Sequence, residues 1–501
     1  MPEAVAWPDG AALERVEVVA EPITESTDRV GGSRTLINRE QLDWLQPQRV
    51  EELTALIPGA QPGNLQGGLD SSVMLRGFAI TGPRWNGLPD IHRLFVRDPY
   101  TAERIEVISG PDAMLEGVSS PGGVLRYIGK RPQQQPAQEA AITVGSHGHR
   151  RLTADTTGPL SDRVAYRLTI AAQEGEQRPS RLSQQRHHLL AGLSWAYHAQ
   201  GELRLEFEHQ RNRTPFNWGT VYVDGLGPQF DTLYHPPSQQ HSRRDYRRAA
   251  LYWEHAVGDA WLLSFRAARA DVRRHERIIG FWTGGVFPVP DSMAGYMADL
   301  RDRYWQEDLR LQAELNHSLF GRDHHLVLGF DSHRHDIRFL RGQNYQGYTV
   351  DRDTPDFSGI DFDALPRANH DRPAVSRRSG LHLSSQWQLT DRLRLGGGLR
   401  RTDFRTRSAT ETRPWETTQR GREPTWQAGV DYTVTTATTL YAHAGTGFNP
   451  NTGQDSQGRH LPPREARTIE GGLRHIPRPG RLTSPDWGRS SPPSTRTASG
   501  D

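Results

Sequence analysis

Trp305-Gln306-Glu307-Asp308-Leu309-Arg310-Leu311-Gln312-Ala313-Glu314-Leu315 alternates residue by residue. Positions 309, 311, 313 and 315 are apolar, and the residues between them are charged or amide. One face of a helix would recur every three or four residues. A period of two belongs to a strand with two unlike faces. Here the polar face carries Asp308, Arg310, Gln312 and Glu314 together. So much charge on one face suits a water-filled lumen.

The pattern recurs on both sides. Leu203, Leu205 and Phe207 alternate with charged residues, and Val164, Tyr166, Leu168 and Ile170 repeat the period. So do Leu381, Leu383 and Trp387, then Leu393 and Leu395, then Val430, Tyr432 and Val434. About fourteen such segments fit between Ala140 and Leu473. Tight connections, such as the one around Asp391, alternate with long polar stretches near 215–244, 280–298 and 340–372, which read as loops. Short turns at one end and long loops at the other are the habit of outer-membrane barrels. A soluble β-sandwich also alternates; the strand lengths and the charged face favour the barrel.

Composition is compatible. Only 35% of the 501 residues are hydrophobic, and the mean hydropathy is -0.72. No apolar run approaches the ~18–20 residues of a spanning helix, but a spanning strand needs only ~9–11, half of them polar. With no cysteine, disulfides and thiolate metal sites are absent. A net charge of +2 carries no nucleic-acid signature. Lys130 is the single lysine among the basic residues. No nucleophile elbow, phosphate loop or zinc spacing is present, so an enzyme is not expected. Among 21 histidines, His324-His325 and His333-Arg334-His335 stand out. His333 and His335 would share a strand face, yet the spacing matches no known metal site.

Residues 31–133 read instead as a compact mixed domain. Leu36-Ile37 suits a strand, Arg39 to Leu42 opens a short helix, and Val50 to Ile57 forms another before Pro58-Gly59. Short strands follow at Val73–Leu75 and Arg104–Ile108. The densest signal runs from Asp98-Pro99-Tyr100 through Glu103-Arg104-Ile105-Glu106-Val107-Ile108, Gly110-Pro111, Gly117 and Ser120-Pro121-Gly122-Gly123 to Lys130-Arg131-Pro132. It reads as a strand ending at a glycine turn, a helical turn, and a glycine pair where backbones approach closely.

This spacing resembles the end of the plug domain in TonB-dependent siderophore receptors. Ile57-Pro58-Gly59-Ala60, Leu75-Arg76-Gly77-Phe78 and Trp85-Asn86-Gly87-Leu88 resemble earlier motifs of that family, in order. Thr157-Gly158-Pro159-Leu160, Tyr166-Arg167, Phe448-Asn449-Pro450 and Glu470-Gly471-Gly472-Leu473 resemble its barrel, so similarity covers about residues 14–475. The Asp98-Pro99-Tyr100 form resembles the hydroxamate, ferrichrome-like branch. Departures are Glu116 for the family's aromatic, Arg126 for its asparagine, and about fourteen strands where its barrel has about twenty-two.

The expected fold is therefore all-β dominated: an incomplete transmembrane antiparallel barrel at 139–475 with an α+β plug at 31–133. Residues 1–30 form an N-terminal periplasmic segment, and 476–501 are a low-complexity tail, read as the product of a frameshift. Met1 to Trp7 lack a signal region, so a signal peptide is expected upstream. Glu14-Arg15-Val16-Glu17-Val18-Val19-Ala20 resembles the TonB box, which adds as a strand to a partner sheet; the alternative is an ordinary edge strand. The resemblance implies import of ferric siderophores across the outer membrane of a Gram-negative bacterium. It implies the C-terminal domain of TonB, the ferric siderophore and outer-membrane lipid as partners, with no nucleic acid. Iron would arrive already chelated, so neither cofactor nor protein metal ligand is expected. The alternatives are a truncated, non-functional remnant and a surface-binding or signal-transducing receptor without transport.

Arg84 and Trp85 fall in a plug loop that the family turns outward, and Asn64 and Gln66 lie in the preceding glycine-rich loop. All four are expected siderophore contacts, or otherwise solvated loop residues. Arg76, Gly77, Phe78, Glu103, Arg104, Glu106, Gly110, Pro111, Gly122 and Gly123 carry the plug motifs. The charged ones are expected either to bridge plug and barrel or to serve the plug's own fold.

Overall fold

The computed structural model describes residues 33–475, apart from 64–69, 81, 92–94, 110–119, 121, 178–181, 217–220, 224, 230, 231, 233, 235–241, 282–290, 366–373, 409–415 and 451–460. The box-like segment 14–20, Asn64, Gln66, Gly110, Pro111, Glu116 and the tail 476–501 therefore lie outside the described residues.

Eight short strands build the N-terminal part: β1 (Ser33–Ile37), β2 (Ala60–Pro62), β3 (Val73–Leu75), β4 (Phe78–Ala79), β5 (Arg84–Trp85), β6 (Leu88–Pro89), β7 (Ala102–Ser109) and β8 (Gly123–Gly129). They pair as a five-stranded sheet, β1-β7-β8-β5-β6, and a three-stranded one, β2-β3-β4. Helix α1 (Arg39–Leu45) starts at a capping box: the Asn38 side chain accepts from the Gln41 amide, and the Gln41 side chain accepts from the Asn38 amide. The second expected helix is a 3-10 turn, Val50–Leu56, the form short connectors favour. Leu42, Leu53, Leu75, Trp85, Ile105 and Tyr127 share one buried core.

The larger sheet follows. Its strands are β9 (Ala137–Val144), β10 (Arg150–Ser161), β11 (Val164–Gln177), β12 (Leu182–His198) and β13 (Gly201–Arg213). A loop hairpin, β14 (Tyr222–Val223) and β15 (Gly227–Pro228), intervenes. Then come β16 (Arg243–Val257), β17 (Trp261–Phe281), β18 (Ser292–Leu319), β19 (Arg322–Asp351) and β20 (Ala374–Gln388). β21 (Leu393–Ser408), β22 (Glu416–Thr435), β23 (Thr438–Asn449) and β24 (Arg464–His475) complete it. Without the hairpin these are fourteen strands in one antiparallel meander. Its edges, β9 and β24, do not pair with each other among the described residues, so the barrel is not closed.

Exposure along these strands is the reverse of a soluble protein's. Leu205 and Leu311 are 47% and 45% exposed, while Glu208 and Arg310 are 0% and 3% exposed. The apolar face points outward, as a wall standing in hydrocarbon requires, and the charged face lines the concave side. Exposed Trp195, Trp261 and Phe320 lie beside the short turns, where outer-membrane barrels carry an aromatic girdle. Among the described residues no helix is long and apolar enough to cross a membrane.

All three stretches expected as loops are partly strand, the first only through the short β14–β15 hairpin and the start of β16. β18 begins at Ser292 and β19 runs to Asp351, with Met293 opposite Val350. At 28 and 30 residues these strands exceed what a bilayer needs. Polarity marked them as loops; they remain strands because each supplies the other's backbone partners beyond the apolar zone.

Candidate functional site

The N-terminal domain lies against the charged side of the large sheet, touching strands from β9 to β24. Its motifs are local devices that shape this contact. Arg76 and Gly77, at φ of +52° and +82°, form the two-residue turn joining β3 to β4. Asn86 and Gly87, at +47° and +79°, join β5 to β6 the same way. Two positive φ angles are the signature of the type I′ hairpin, for which Asn-Gly is the favoured pair. The glycine pair behaves as its spacing predicts: a Cβ on Gly122 would lie 2.2 Å from the Leu75 carbonyl oxygen, and one on Gly123 2.2 Å from that of Ile108.

Asn86 is the hub of the first cluster. Its backbone N–H donates to the Tyr127 carbonyl at 3.0 Å, and its side-chain oxygen accepts from Gly129 N–H at 2.8 Å. Its amide nitrogen donates to Glu206 on β13 at 2.9 Å. The Trp85 indole donates to the other Glu206 oxygen at 2.6 Å, where Arg248 also donates at 2.7 Å.

A second cluster sits alongside. Arg97 is buried, pairs with Asp90 at 2.8 Å and with Glu208 of the sheet, and its guanidinium lies 3.6 Å from the Trp85 ring centre. His188 meets the same Glu208 oxygen at 2.7 Å. Asp98 forms a third contact, accepting from both terminal nitrogens of Arg151 on β10 at 2.8 Å each and lying 3.5 Å from Arg186 on β12. Burial alone would raise the Asp98 pKa. The Arg151 hydrogen bonds, with the charges of Arg151, Arg186 and His188, outweigh it and hold the carboxyl down at about 2. Further along, Lys130 lies 3.4 Å from Asp155, and Asp70 2.8 Å from Arg244. Between these pairs, Ile91 and Phe95 pack on Tyr246, Val272 and Tyr304, with Phe95 stacked 3.9 Å from Tyr246.

The expected site residues divide. Arg76 bridges the two parts, pairing with Glu470 on β24 at 2.8 Å. Glu106 does not: it is fully buried inside the N-terminal domain, against Arg34 at 2.6 Å and Arg104 at 2.8 Å, with Glu103 half-buried nearby. Phe78 is exposed. The expectation that Arg84 and Trp85 turn outward from a loop is not met, because both are buried strand residues of β5. Arg84 faces Arg310, Asp331, His333 and Arg378 of the wall across a small gap. The Asn-Gly turn immediately after them folds the chain back on itself, so the indole fills the core instead of the mouth. His333 and His335 do share a face, with His333 bound to Asp308 at 2.6 Å. Among the described residues no three histidines, cysteines or carboxylates converge as a metal site would require. Sequence reading missed Asp90, Arg97 and every wall partner, since one charged residue on an alternating strand looks like the next.

A mixed domain gripped through charged contacts by a sheet that is polar within and apolar without is the construction of a plugged outer-membrane barrel. The β-barrel of TonB-dependent receptor-like proteins matches residues 193–488, and the TonB-dependent receptor plug domain matches residues 26–124. The chain belongs to the TonB-dependent receptor family. It is 22% identical over 518 residues to the ferrichrome outer membrane transporter/phage receptor of Escherichia coli K12, covering 95% of this chain and 69% of that protein. The metal-pseudopaline receptor of Pseudomonas aeruginosa is 26% identical over 470 residues, covering 89% and 65%. The chain thus spans about two thirds of the length of these curated relatives. Among solved structures, the ferric-catecholate import receptor Fiu of E. coli K12 in its closed form superposes with a TM-score of 0.79 at 18% identity, covering 91% of this chain and 72% of that one. The P. aeruginosa ferripyoverdine receptor gives 0.74 at 20%, covering 88% and 60%.

Proposed function

We propose that this receptor imports ferric siderophores across the outer membrane of a Gram-negative bacterium, driven through TonB. The observation that carries the reading is the grip between plug and wall. It consists mainly of ion pairs and hydrogen bonds, among them Arg97–Glu208, Asp98–Arg151 and Arg76–Glu470. Water can replace such contacts one by one as the plug moves, which a continuous dry interface would resist. Named relatives include receptors for ferrichrome, ferric pyoverdine and ferrioxamine, which supports a chelated ferric ion as the ligand.

The ligand would bind at the long-loop end of the wall, with Asn64 and Gln66 as plug contacts. With Trp85 in the core and Arg84 facing the wall, these two would position the plug there. TonB would take the segment Val16–Ala20 as an added strand and pull on the plug. The test is uptake of radiolabelled ferric siderophores by iron-starved cells expressing the receptor, with and without TonB. TonB-dependent accumulation of one chelate is expected. Binding without accumulation in either strain would leave a surface receptor and refute import.

A further inference from the structure

Where β5 meets the wall, the plug adds positive charge to a place that already has an excess of it. Arg84, only 5% exposed, faces the seam of β18, β19 and β20 across a narrow gap. Strand register fixes what stands on the wall there. Arg310 lies opposite Asp331, Asp308 opposite His333, and His333 opposite Arg378. Leu88 and Pro89, just past the Asn86-Gly87 turn, line the gap from the plug side.

The charges do not balance. Asp331 already accepts from both terminal nitrogens of Arg400, at 2.6 and 2.9 Å. Asp308 accepts from the Gln306 amide at 2.6 Å and meets the His333 ring at 2.6 Å. Two carboxylates thus serve four guanidiniums, those of Arg84, Arg310, Arg378 and Arg400. Any charge on His333 only adds to the excess. Arg378 forms no ion pair among the described residues, and the charge that acts on it most is that of Arg84, of like sign. Elsewhere the plug meets the wall through opposite charges, as in Arg97–Glu208 and Asp98–Arg151. Here like charges face each other in a setting with little water to screen them.

A water molecule in the gap would accept from the guanidiniums but leave the net charge as it is. An anion answers both needs, since guanidinium donors bind an ionised acceptor about twice as strongly as a neutral one. The space is scarcely larger than a water molecule requires, so the guest is small. An organic acid would bring a carbon chain for which the gap has no room. We propose that the seam holds one small inorganic anion of about chloride size, bridging Arg84 of the plug to Arg310 and Arg378 of the wall. With the anion bound, this contact ties β5 to the wall. Without it, the same contact pushes the two parts apart, so the seating of the plug depends on the anion.

The test is thermal unfolding of the full chain in nonionic detergent micelles, followed by tryptophan fluorescence, with chloride exchanged for gluconate at constant ionic strength. Gluconate is too large for the gap. Chloride should raise the melting temperature saturably, by about 2 °C or more. Arg378→Gln should melt at or above the unmutated chain in gluconate, because a repulsion is gone, and should gain nothing from chloride. Arg378→Lys keeps the charge and should keep part of the response. No chloride response in the unmutated chain, or an equal one in R378Q, would overturn the proposal. So would a loss of stability in R378Q that is the same in both salts, the mark of a side chain that merely packs. A response to phosphate with none to chloride would refute a chloride-sized guest. The salt exchange on the unmutated chain needs no variant, so a variant that fails to fold does not block the test.

Discussion

Asp98→Asn tests the latch between plug and wall. Asp98 is almost wholly buried and accepts two 2.8 Å hydrogen bonds from Arg151, with Arg186 close by. It also caps the short 3-10 turn Pro99–Thr101 by accepting from the Tyr100 amide at 3.1 Å. Asparagine keeps that cap through its one oxygen, while its amide nitrogen takes the place of the oxygen that accepts from Arg151 Nη1, so the substitution removes the charge and one hydrogen bond. Depression of the carboxyl from 3.8 to about 2 corresponds to about 2 kcal/mol. Leaving two guanidiniums buried against a neutral group costs more, and breaking a buried pair outright costs about 3–5 kcal/mol. A loss of about 2–4 kcal/mol at neutral pH is expected. The pH dependence has a definite sign. Because the folded pKa lies below the unfolded one, the ionised form stabilises the latch above about pH 4. That contribution is lost as pH falls from 3.8 toward 2. Urea unfolding at several pH values, followed by tryptophan fluorescence, measures it as the difference between unmutated chain and variant. The difference should be constant from pH 7 to 5 and shrink below pH 4. A difference that stays level down to pH 2, or none at pH 7, would show that Asp98 does not latch the plug electrostatically.

Gly129→Ala should cost about 1–3 kcal/mol, because the new methyl carbon would sit 2.4 Å from the Trp85 ring; a melting temperature equal to the unmutated chain's would contradict that packing. Trp85→Ala should cost about 3–5 kcal/mol of plug stability through the lost core ring and the lost indole donor to Glu206, read by urea unfolding. Val18→Pro in a peptide of residues 10–25 should abolish binding to the C-terminal domain of TonB, since proline removes a strand donor; equal affinity in calorimetry would exclude strand addition there. Asn64→Ala with Gln66→Ala should weaken ferric-siderophore binding by about 2–4 kcal/mol in fluorescence quenching while leaving unfolding unchanged.

Local rules made much of this protein legible in its sequence. Alternation in Trp305–Leu315 defines a strand because side chains on an extended chain must point to opposite faces, and a charged face opposite an apolar one admits few settings. Asn86-Gly87, and the tight pair Gly122-Gly123, announce their turn and their close approach through backbone sterics alone. Pairing partners follow no local rule. Trp85 meets Glu206 across 121 positions, and Asp98 meets Arg151 across 53, because the wall curves around the plug. Strand ends at Ser292 and Asp351 were equally illegible: polar residues form loop or strand according to whether a neighbour supplies backbone partners. The sequence places Arg84 and Trp85 beside an Asn-Gly turn, but the direction of that hairpin is set by its parallel pairing with β8 in the folded plug. Sequence thus determined which elements exist and what chemistry each face carries. Which charge answers which, and which face of each hairpin is buried, waited on contacts that only the folded tertiary arrangement creates.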